Sequence, residues 1–341
     1  MVIRMKAGVV GGSGYLGAEL LRLLAGHPGI EVAIVQADSS AGARVALAYP
    51  GLASAYPDLR FGEIDPRAMD GCDVVFVAVP SGRSQAVVPE VLGVAGCVVD
   101  LGADFRLKDP DAYPEWYGFI HSCPELLAEA VYGLPELDRD PLRGARLVAA
   151  PGCYVTAATL ALSPLLRAGI VESDAVVVDA TSGTSGAGKA PTAETHHASV
   201  NESFTAYKLV GHRHTPEMEQ ATGATILFTP HLAPMTRGIL ATCYARSTGP
   251  SSTDDVLGVL RDAYAREPFV QVVDDPPATR DTYGTNVVKL TARHDARTGL
   301  TVVLAALDNL TKGGADQAVQ AANVALGLDE TAGLPTVAVT P

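Results

Sequence analysis

Charge is the first thing this chain has little of. Only 18% of its 341 residues are Asp, Glu, Lys or Arg, and 25 cations against 38 anions leave a net charge of −13. A nucleic acid or an anionic membrane would need a basic face that this composition hardly supplies, so neither is expected as a partner, and a small metabolite is. Cysteine is scarce too. Cys72, Cys97, Cys123, Cys153 and Cys243 are odd in number, scattered and never spaced as CxxC. That argues against a disulfide framework and a structural zinc site, and no metal is expected. Long apolar runs are missing: none reaches the roughly 18 residues of a membrane helix. The opening "MVIRMKAGVV" has no export-signal core or cleavage site. A reduced, cytoplasmic setting fits these absences.

What the chain has is apolar sequence, 48% of its residues, enough for about two packed domains. From residue 6, apolar runs alternate with helix-like segments: "AGVVGGSG", "YLGAELLRLLAGHP", "EVAIVQA", then "CDVVFVAVP" and "CVVDLGA". Runs of Val, Ile and Ala without polar alternation suit strands buried on both faces, and helical spacers imply a parallel sheet. The first half therefore reads as α/β, a Rossmann-type doubly wound sheet. Between Asp104 and Arg146, Pro- and Tyr-rich sequence reads as loop whose aromatics need burial. The later runs "DAVVVDATSG", "ATILFTPHLAP", "RGILATCYARS", "TNVVKLTARHD" and "LTVVLAALDN" are Thr-rich and partly alternating, with tight turns such as "DARTGLT". They predict a second, α+β domain with a mixed or antiparallel sheet. The expected boundaries are 1–152 for a dinucleotide-binding domain, completed by a C-terminal helix at about 311–341, and 153–310 for a catalytic, substrate-binding and oligomerisation domain.

Three motifs invite chemistry. In "VVGGSGYLGAELLRLL", Gly12, Gly14 and Gly17 have G-x-G-x-x-G spacing directly after a strand-like run and open an amphipathic helix. Glycines there let backbone approach a pyrophosphate at the helix N-terminus, so Gly12, Ser13, Gly14, Tyr15, Leu16 and Gly17 are the expected cofactor turn. The next strand ends in "QADSSAGAR", where an acidic residue selects NAD and small or basic residues admit a 2′-phosphate. Asp38 and the pair Ser39 and Ser40 pull in opposite directions; Ser39 and Ser40 are taken as the contacts. A second glycine-rich stretch, "GTSGAGKA", resembles a P-loop but puts Ala190 where a magnesium-binding Ser or Thr must stand after Lys189, so no nucleotide hydrolysis is expected.

In "GHRHTPEMEQ", His212 and His214 cannot share a helix face at i, i+2. Thr215-Pro216-Glu217 reads as a helix start, which leaves the histidines in a loop, available for acid/base work. The adjacent His196 and His197 are assigned no chemistry. In "LVAAPGCYVTAATLAL", Cys153 follows a strand of the first sheet and sits at a helix N-terminus, where dipole and backbone N–H groups favour a thiolate. A structural cysteine would sit inside an apolar run, as Cys97 and Cys243 do. Cys153 is therefore the expected nucleophile, and a dinucleotide fold beside a thiolate suggests hydride transfer through a thioester.

The stretches "GGSGYLGAELLRLL", "LGADFRLKDP", "VYGLPEL", "PGCYVTAA", "SGTSGAGK", "VNESFTAYKLVGHRHTPEMEQ", "PMTRGILAT" and "ALDNLTKGG" occur here in an order that resembles the N-acetyl-γ-glutamyl-phosphate reductases of arginine biosynthesis, across almost the whole chain. The resemblance implies a two-domain enzyme that uses NADPH to turn N-acetylglutamyl phosphate into the semialdehyde with release of phosphate, and a homo-oligomer, dimer or tetramer. It implies Cys153 as nucleophile, an acid/base histidine in "HRH" with His214 ahead of His212, and Glu217 orienting the site. It also implies Tyr207, Arg213 and Arg106 as substrate contacts and Asn309 as a cofactor contact. Reductases of carrier-protein-bound aminoadipyl or glutamyl phosphate share much of this pattern, "GHRHT" included, and stand as the alternative. A non-catalytic dinucleotide-binding regulator is the alternative of another class.

Overall fold

The structure, a computed structural model, describes residues 4–249 and 251–340. The chain divides into two units, Met1–Pro151 with Gly314–Leu334, and Gly152–Gly313 with Pro335–Pro341. The division falls one residue before the expected boundary. The last residues also part from the C-terminal helix: Asn286 N–H bonds to Pro335 O and Val339 N–H to Tyr283 O, which ties them to the second unit. Met1–Ile3 and Pro341, which the expected boundaries include, lie outside the described residues.

Unit one holds a six-stranded sheet of β1 (Met5–Val10), β2 (Ile30–Gln36), β3 (Val74–Val77), β4 (Cys97–Asp100), β5 (Val131–Tyr132) and β6 (Leu147–Ala149). Its order is β2-β1-β3-β4-β6-β5, and every pairing is parallel. Alternate strand residues feed two separate cores. Val9, Phe76 and Val99 pack with Leu20 and Leu24 of α1 (Tyr15–Ala25) and Val319 of the C-terminal helix. Val75, Val77 and Val98 pack with Val88 and Val91 of α2 (Ser84–Leu92) and with Tyr113. Burial on both faces is why these strands read as unbroken Val and Ile runs. The Pro- and Tyr-rich segment folds inward, with Tyr113 wholly buried among Tyr117, Phe119 and His121.

Unit two opens with α3 (Cys153–Arg167), which is buried from Tyr154 to Leu165. It holds a seven-stranded sheet of β7 (Val176–Ser182), β8 (Thr205–Ala206), β9 (Ile226–Leu232), β10 (Ile239–Arg246), β11 (Val270–Val272), β12 (Val288–Asp295) and β13 (Leu300–Leu307), in the order β11-β12-β13-β10-β7-β9-β8. Parallel pairs β11/β12 and β7/β9 are mixed with antiparallel ones. Buried and half-buried residues alternate strictly along β7, so one face of the sheet is fully packed there and the other only in part. Two further helices matter below: α4 (Thr215–Thr222) and α5 (Thr253–Tyr264). No described helix is long and apolar enough to cross a membrane.

Candidate active site

Pro151 and Gly152 separate β6 from α3, and Gly152, extended at φ −71° and ψ 147°, is the N-cap. No side chain caps this helix and its first turn holds no acidic residue. The first rung of the helix is Thr156 N–H to Gly152 O at 2.9 Å, which leaves the N–H groups of Cys153, Tyr154 and Val155 outside the ladder, at the positive end of the dipole. A thiolate at the first helical position is favoured there. Cys153 is half-buried, whereas the other four cysteines are buried. Burial pushes all four of those thiols up, to about 12 for Cys97 and Cys243. Accessibility and helix position thus single out the same residue.

The histidine loop meets this helix start. A Cβ placed on Gly152 would lie 2.6 Å from His214 Nε2 and 2.9 Å from both neighbouring ring carbons. The imidazole edge therefore rests on the residue before the cysteine, and only glycine leaves room for it. Glu217, in the first turn of α4 and wholly buried, accepts the Gly152 N–H at 2.9 Å. This carboxylate ties α4 to the start of α3.

The two histidines differ in kind. His212 Nδ1 accepts the backbone N–H of His214 at 3.1 Å. Burial, with Arg213 and Lys208 nearby, pushes the His212 pKa down to about 3. His212 is therefore neutral at physiological pH, and one ring nitrogen is committed to the backbone. Its ring stands T-shaped to that of His214, 4.8 Å between centroids, and Tyr154 stands edge-on to both at 5.9 Å.

Tyr207 adjoins the group: its hydroxyl is 3.2 Å from that of Tyr154, and its ring is 5.7 Å from His212. Arg213 is exposed beside the buried histidines. Arg106 belongs to the other unit, where its guanidinium donates to Leu101 O and Ala150 O at the carboxyl edge of the sheet. The amide of Asn309 is engaged at both ends, accepting Gly238 N–H at 2.7 Å and donating to Ser185 Oγ at 3.0 Å. That places it as a brace between two loops of unit two.

In unit one the turn before α1 has the form a dinucleotide requires. Gly11 has φ +86°, a Cβ on Gly12 would meet Val35 Cγ2 at 2.3 Å, and one on Gly17 would meet Gly11 O at 2.4 Å. Strand, turn and helix thus touch backbone to backbone. Gly14 is open by contrast: a Cβ there would have one neighbour within 4 Å, Gly11 O at 3.6 Å. The helix has no side-chain cap and no acid in its first turn, so the N–H groups of Tyr15, Leu16 and Gly17 offer an anion an unopposed positive end. The start of α2 is different, because the Asp104 carboxylate already takes the N–H groups of Gly82 and Gln85. Past β2, Ser39 is exposed, and Asp38 is bound by Arg83 at 2.9 Å. The stretch "GTSGAGKA" is no phosphate loop. Gly183, Thr184 and Ser185 give their N–H groups to the carbonyls of Gly238, Met235 and Thr236, and no long helix follows.

Sequence reasoning did not single out Gly152, Tyr154 or Gly313. A Cβ on Gly313 would lie 2.9 Å from that of Cys153. A glycine directly before the candidate nucleophile was the available signal for the first.

Comparison with known proteins agrees with this architecture. The family model described as "Semialdehyde dehydrogenase, NAD binding domain" matches residues 6–145, and "Semialdehyde dehydrogenase, dimerisation domain" matches 153–309. In fold, the chain is similar to aspartate semialdehyde dehydrogenase II of Vibrio cholerae, with a TM-score of 0.71 at 18% identity, covering 94% of this chain and 98% of that one. It is similar also to the NADP-bound enzyme of Candida albicans, with a TM-score of 0.68 at 17% identity, over 94% and 98%. In sequence, it is 47% identical to the N-acetyl-gamma-glutamyl-phosphate reductase of Symbiobacterium thermophilum, over 97% of each chain. To that of Alkalilimnicola ehrlichii it is 49% identical, over 99% of this chain and all of that one. The chain belongs to the semialdehyde dehydrogenase family and, within it, to the N-acetyl-γ-glutamyl-phosphate reductases.

Proposed function

We propose that the protein reduces N-acetyl-L-glutamyl 5-phosphate to N-acetyl-L-glutamate 5-semialdehyde with NADPH, releasing phosphate, through a thioester on Cys153. The observation that carries this reading is the half-buried Cys153 at an uncapped helix start, with the His214 ring against Gly152. The Cys153 thiolate attacks the acyl carbon, a C–S bond forms, and the C–O bond to phosphate breaks, with phosphate leaving as the anion. The N–H groups of Cys153, Tyr154 and Val155 lie where they stabilise a developing oxyanion. Exposed Arg213 supplies positive charge for the phosphate. The turn Gly12–Gly17 would hold a nicotinamide dinucleotide, which would supply the hydride for reduction of the thioester carbon. C–S cleavage then returns the thiolate and frees the aldehyde. His214 handles the proton, since His212 stays neutral with its Nδ1 engaged; Glu217 holds the loop and helix in register.

The preference for NADPH rests on Ser39 and Ser40 together with the Arg83 contact, which offsets the Asp38 charge that would repel a 2′-phosphate. The reading extends to a homo-oligomer through the partly open face of the unit-two sheet, and to the cytoplasm. It is tested by incubating the protein with N-acetylglutamate semialdehyde, phosphate and either NADP+ or NAD+, and following nicotinamide reduction. Phosphate-dependent turnover with NADP+ preferred supports it. Absence of turnover with this free substrate removes it in favour of a carrier-bound substrate or a binding role.

A further inference from the structure

The two contacts of the Tyr154 hydroxyl with Tyr207 and His231 admit one consistent arrangement of protons beside Cys153, and a bond from the Ser182 hydroxyl to the Tyr154 oxygen is compatible with it. The Tyr154 hydroxyl lies 3.1 Å from the His231 carbonyl and 3.2 Å from the Tyr207 hydroxyl. A carbonyl oxygen only accepts, and a phenol has a single proton. If Tyr154 donated to Tyr207, its oxygen would face the His231 carbonyl at 3.1 Å with no proton between them, lone pair against lone pair. With the Tyr154 proton on His231 O, the Tyr207 proton must fill the other contact. Both contacts are then hydrogen bonds, and no other assignment makes them so. Burial above all pushes both phenols up, Tyr207 to about 12, with Tyr207 adding to the shift of Tyr154 and the nearby Cys153 to both, so neither ionises in the working range.

The consequence lies in what Tyr207 has left to offer. Its proton is held, so toward anything else its oxygen presents lone pairs alone. A phosphate, a carboxylate or an oxyanion placed there would receive the Tyr207 proton only by breaking the bond to Tyr154, whereas an N–H donor is accepted with that bond intact. We infer that Tyr207 accepts a hydrogen bond from the amide N–H of an N-acylated substrate, with Tyr154 as the positioning residue that fixes this polarity. The identity of the amide rests on the proposed function. The cationic Arg213 and the acceptor Tyr207 then have opposite jobs, one for the anionic end of the substrate and one for its amide.

The test compares N-acetylglutamate semialdehyde with its 2-acetoxy analogue, in which an ester oxygen replaces the N–H. Loss of one neutral hydrogen bond is worth about ten-fold in kcat/KM, so the wild type should prefer the amide by roughly that ratio. In Tyr207→Phe, activity on the amide should fall by about ten-fold while activity on the ester holds, bringing the ratio near one. Tyr154→Phe keeps the ring contacts and releases the Tyr207 proton, so it too should lose the preference. NADPH binding by fluorescence confirms that each variant is folded. An unchanged ratio in Tyr207→Phe, or a wild type indifferent to the N–H, overturns the inference. No turnover of the amide by the wild type is a different result: it removes the proposed function, and the inference with it.

Discussion

Four helices begin in three ways, and the contrast separates structural from chemical work. Helix α5 starts conventionally: Ser252 Oγ accepts the Asp255 N–H at 3.2 Å, and the Asp255 carboxylate accepts the Ser252 N–H at 2.9 Å. Helices α1 and α3 have a glycine N-cap, no side-chain cap and no acid in the first turn. A capping box satisfies orphan N–H groups and neutralises the dipole. Leaving the first turn uncapped sacrifices stability and keeps a positive helix end in hand, offset in part at α3 by Glu217, which accepts the N-cap N–H. At α1 that end is aimed past an open Gly14 and suits an anion; at α3 it meets a thiol. The start of α2 shows that the choice is local, since there Asp104 fills the place an anion would take.

The comparison breaks first at the thiol. Cys153→Ser should lower kcat/KM by about four orders of magnitude or more, as removal of a covalent nucleophile does, while NADPH binding at α1 persists. Residual turnover within ten-fold of wild type would refute the thioester route. Next come the histidines. A general acid/base contributes roughly a hundred- to ten-thousand-fold, so His214→Asn should cut kcat by that order and erase a limb of the pH profile. His212→Asn should leave the limb in place, because a group held at about 3 does not titrate between pH 5 and 8. The same shift gives a stability prediction of definite sign. The His212 pKa is depressed from 6.5, so its contribution is present above pH 6.5 and is lost as pH falls toward about 3. Acid unfolding of His212→Asn should therefore be shallower in that window, and an identical curve would contradict the burial argument. If His212→Asn abolishes turnover and His214→Asn affects only KM, the two roles are reversed.

Two glycine substitutions sharpen the contrast between the helix starts at smaller amplitude. In Gly152→Ala the new methyl must displace the His214 ring, and misplacement by about 1 Å costs on the order of a hundred-fold. Iodoacetamide labelling of Cys153 should slow or lose its pH dependence, with NADPH affinity retained. Gly17→Ala forces a methyl to within 2.4 Å of Gly11 O, and should weaken NADPH binding without touching the labelling rate. Equal effects of both variants on both measurements would dissolve the distinction.

How much of this was legible beforehand follows the range of the interactions. The parallel sheet, the cofactor turn and the cysteine at a strand-to-helix junction are written in local pattern: runs of Val and Ile, G-x-G-x-x-G spacing, Pro-Gly before a helix. The inward folding of the Tyr-rich segment was legible only as aromatics needing burial, since Tyr113 meets Tyr117 along one short helix but Phe119 and His121 only where the chain turns at Gly118. The residue pattern did not tell His212 from His214; only the family resemblance ranked them. Spacing treats them alike, and what separates them is desolvation of one ring and the approach of the other to Gly152 from a distant segment. Asp104 reads as one more acid in "LGADFRL", yet it closes the start of α2 across a loop.

The smallest effect is expected where the helix start is purely structural. Ser252→Ala removes the acceptor for the Asp255 N–H at an exposed site, a loss that typically costs about 1 kcal/mol. In a unit of this size that corresponds to a fall of about 2–4 °C in Tm, and kcat, KM and thiol reactivity should not move, because α5 touches none of the reacting groups. The reverse experiment is more telling. Gly14→Ser would give α1 the cap it lacks, in a place with room for the side chain, and should add stability while weakening NADPH binding. If the capped variant bound NADPH as well as the wild type, the uncapped start of α1 would be an accident of composition and not a device for holding an anion.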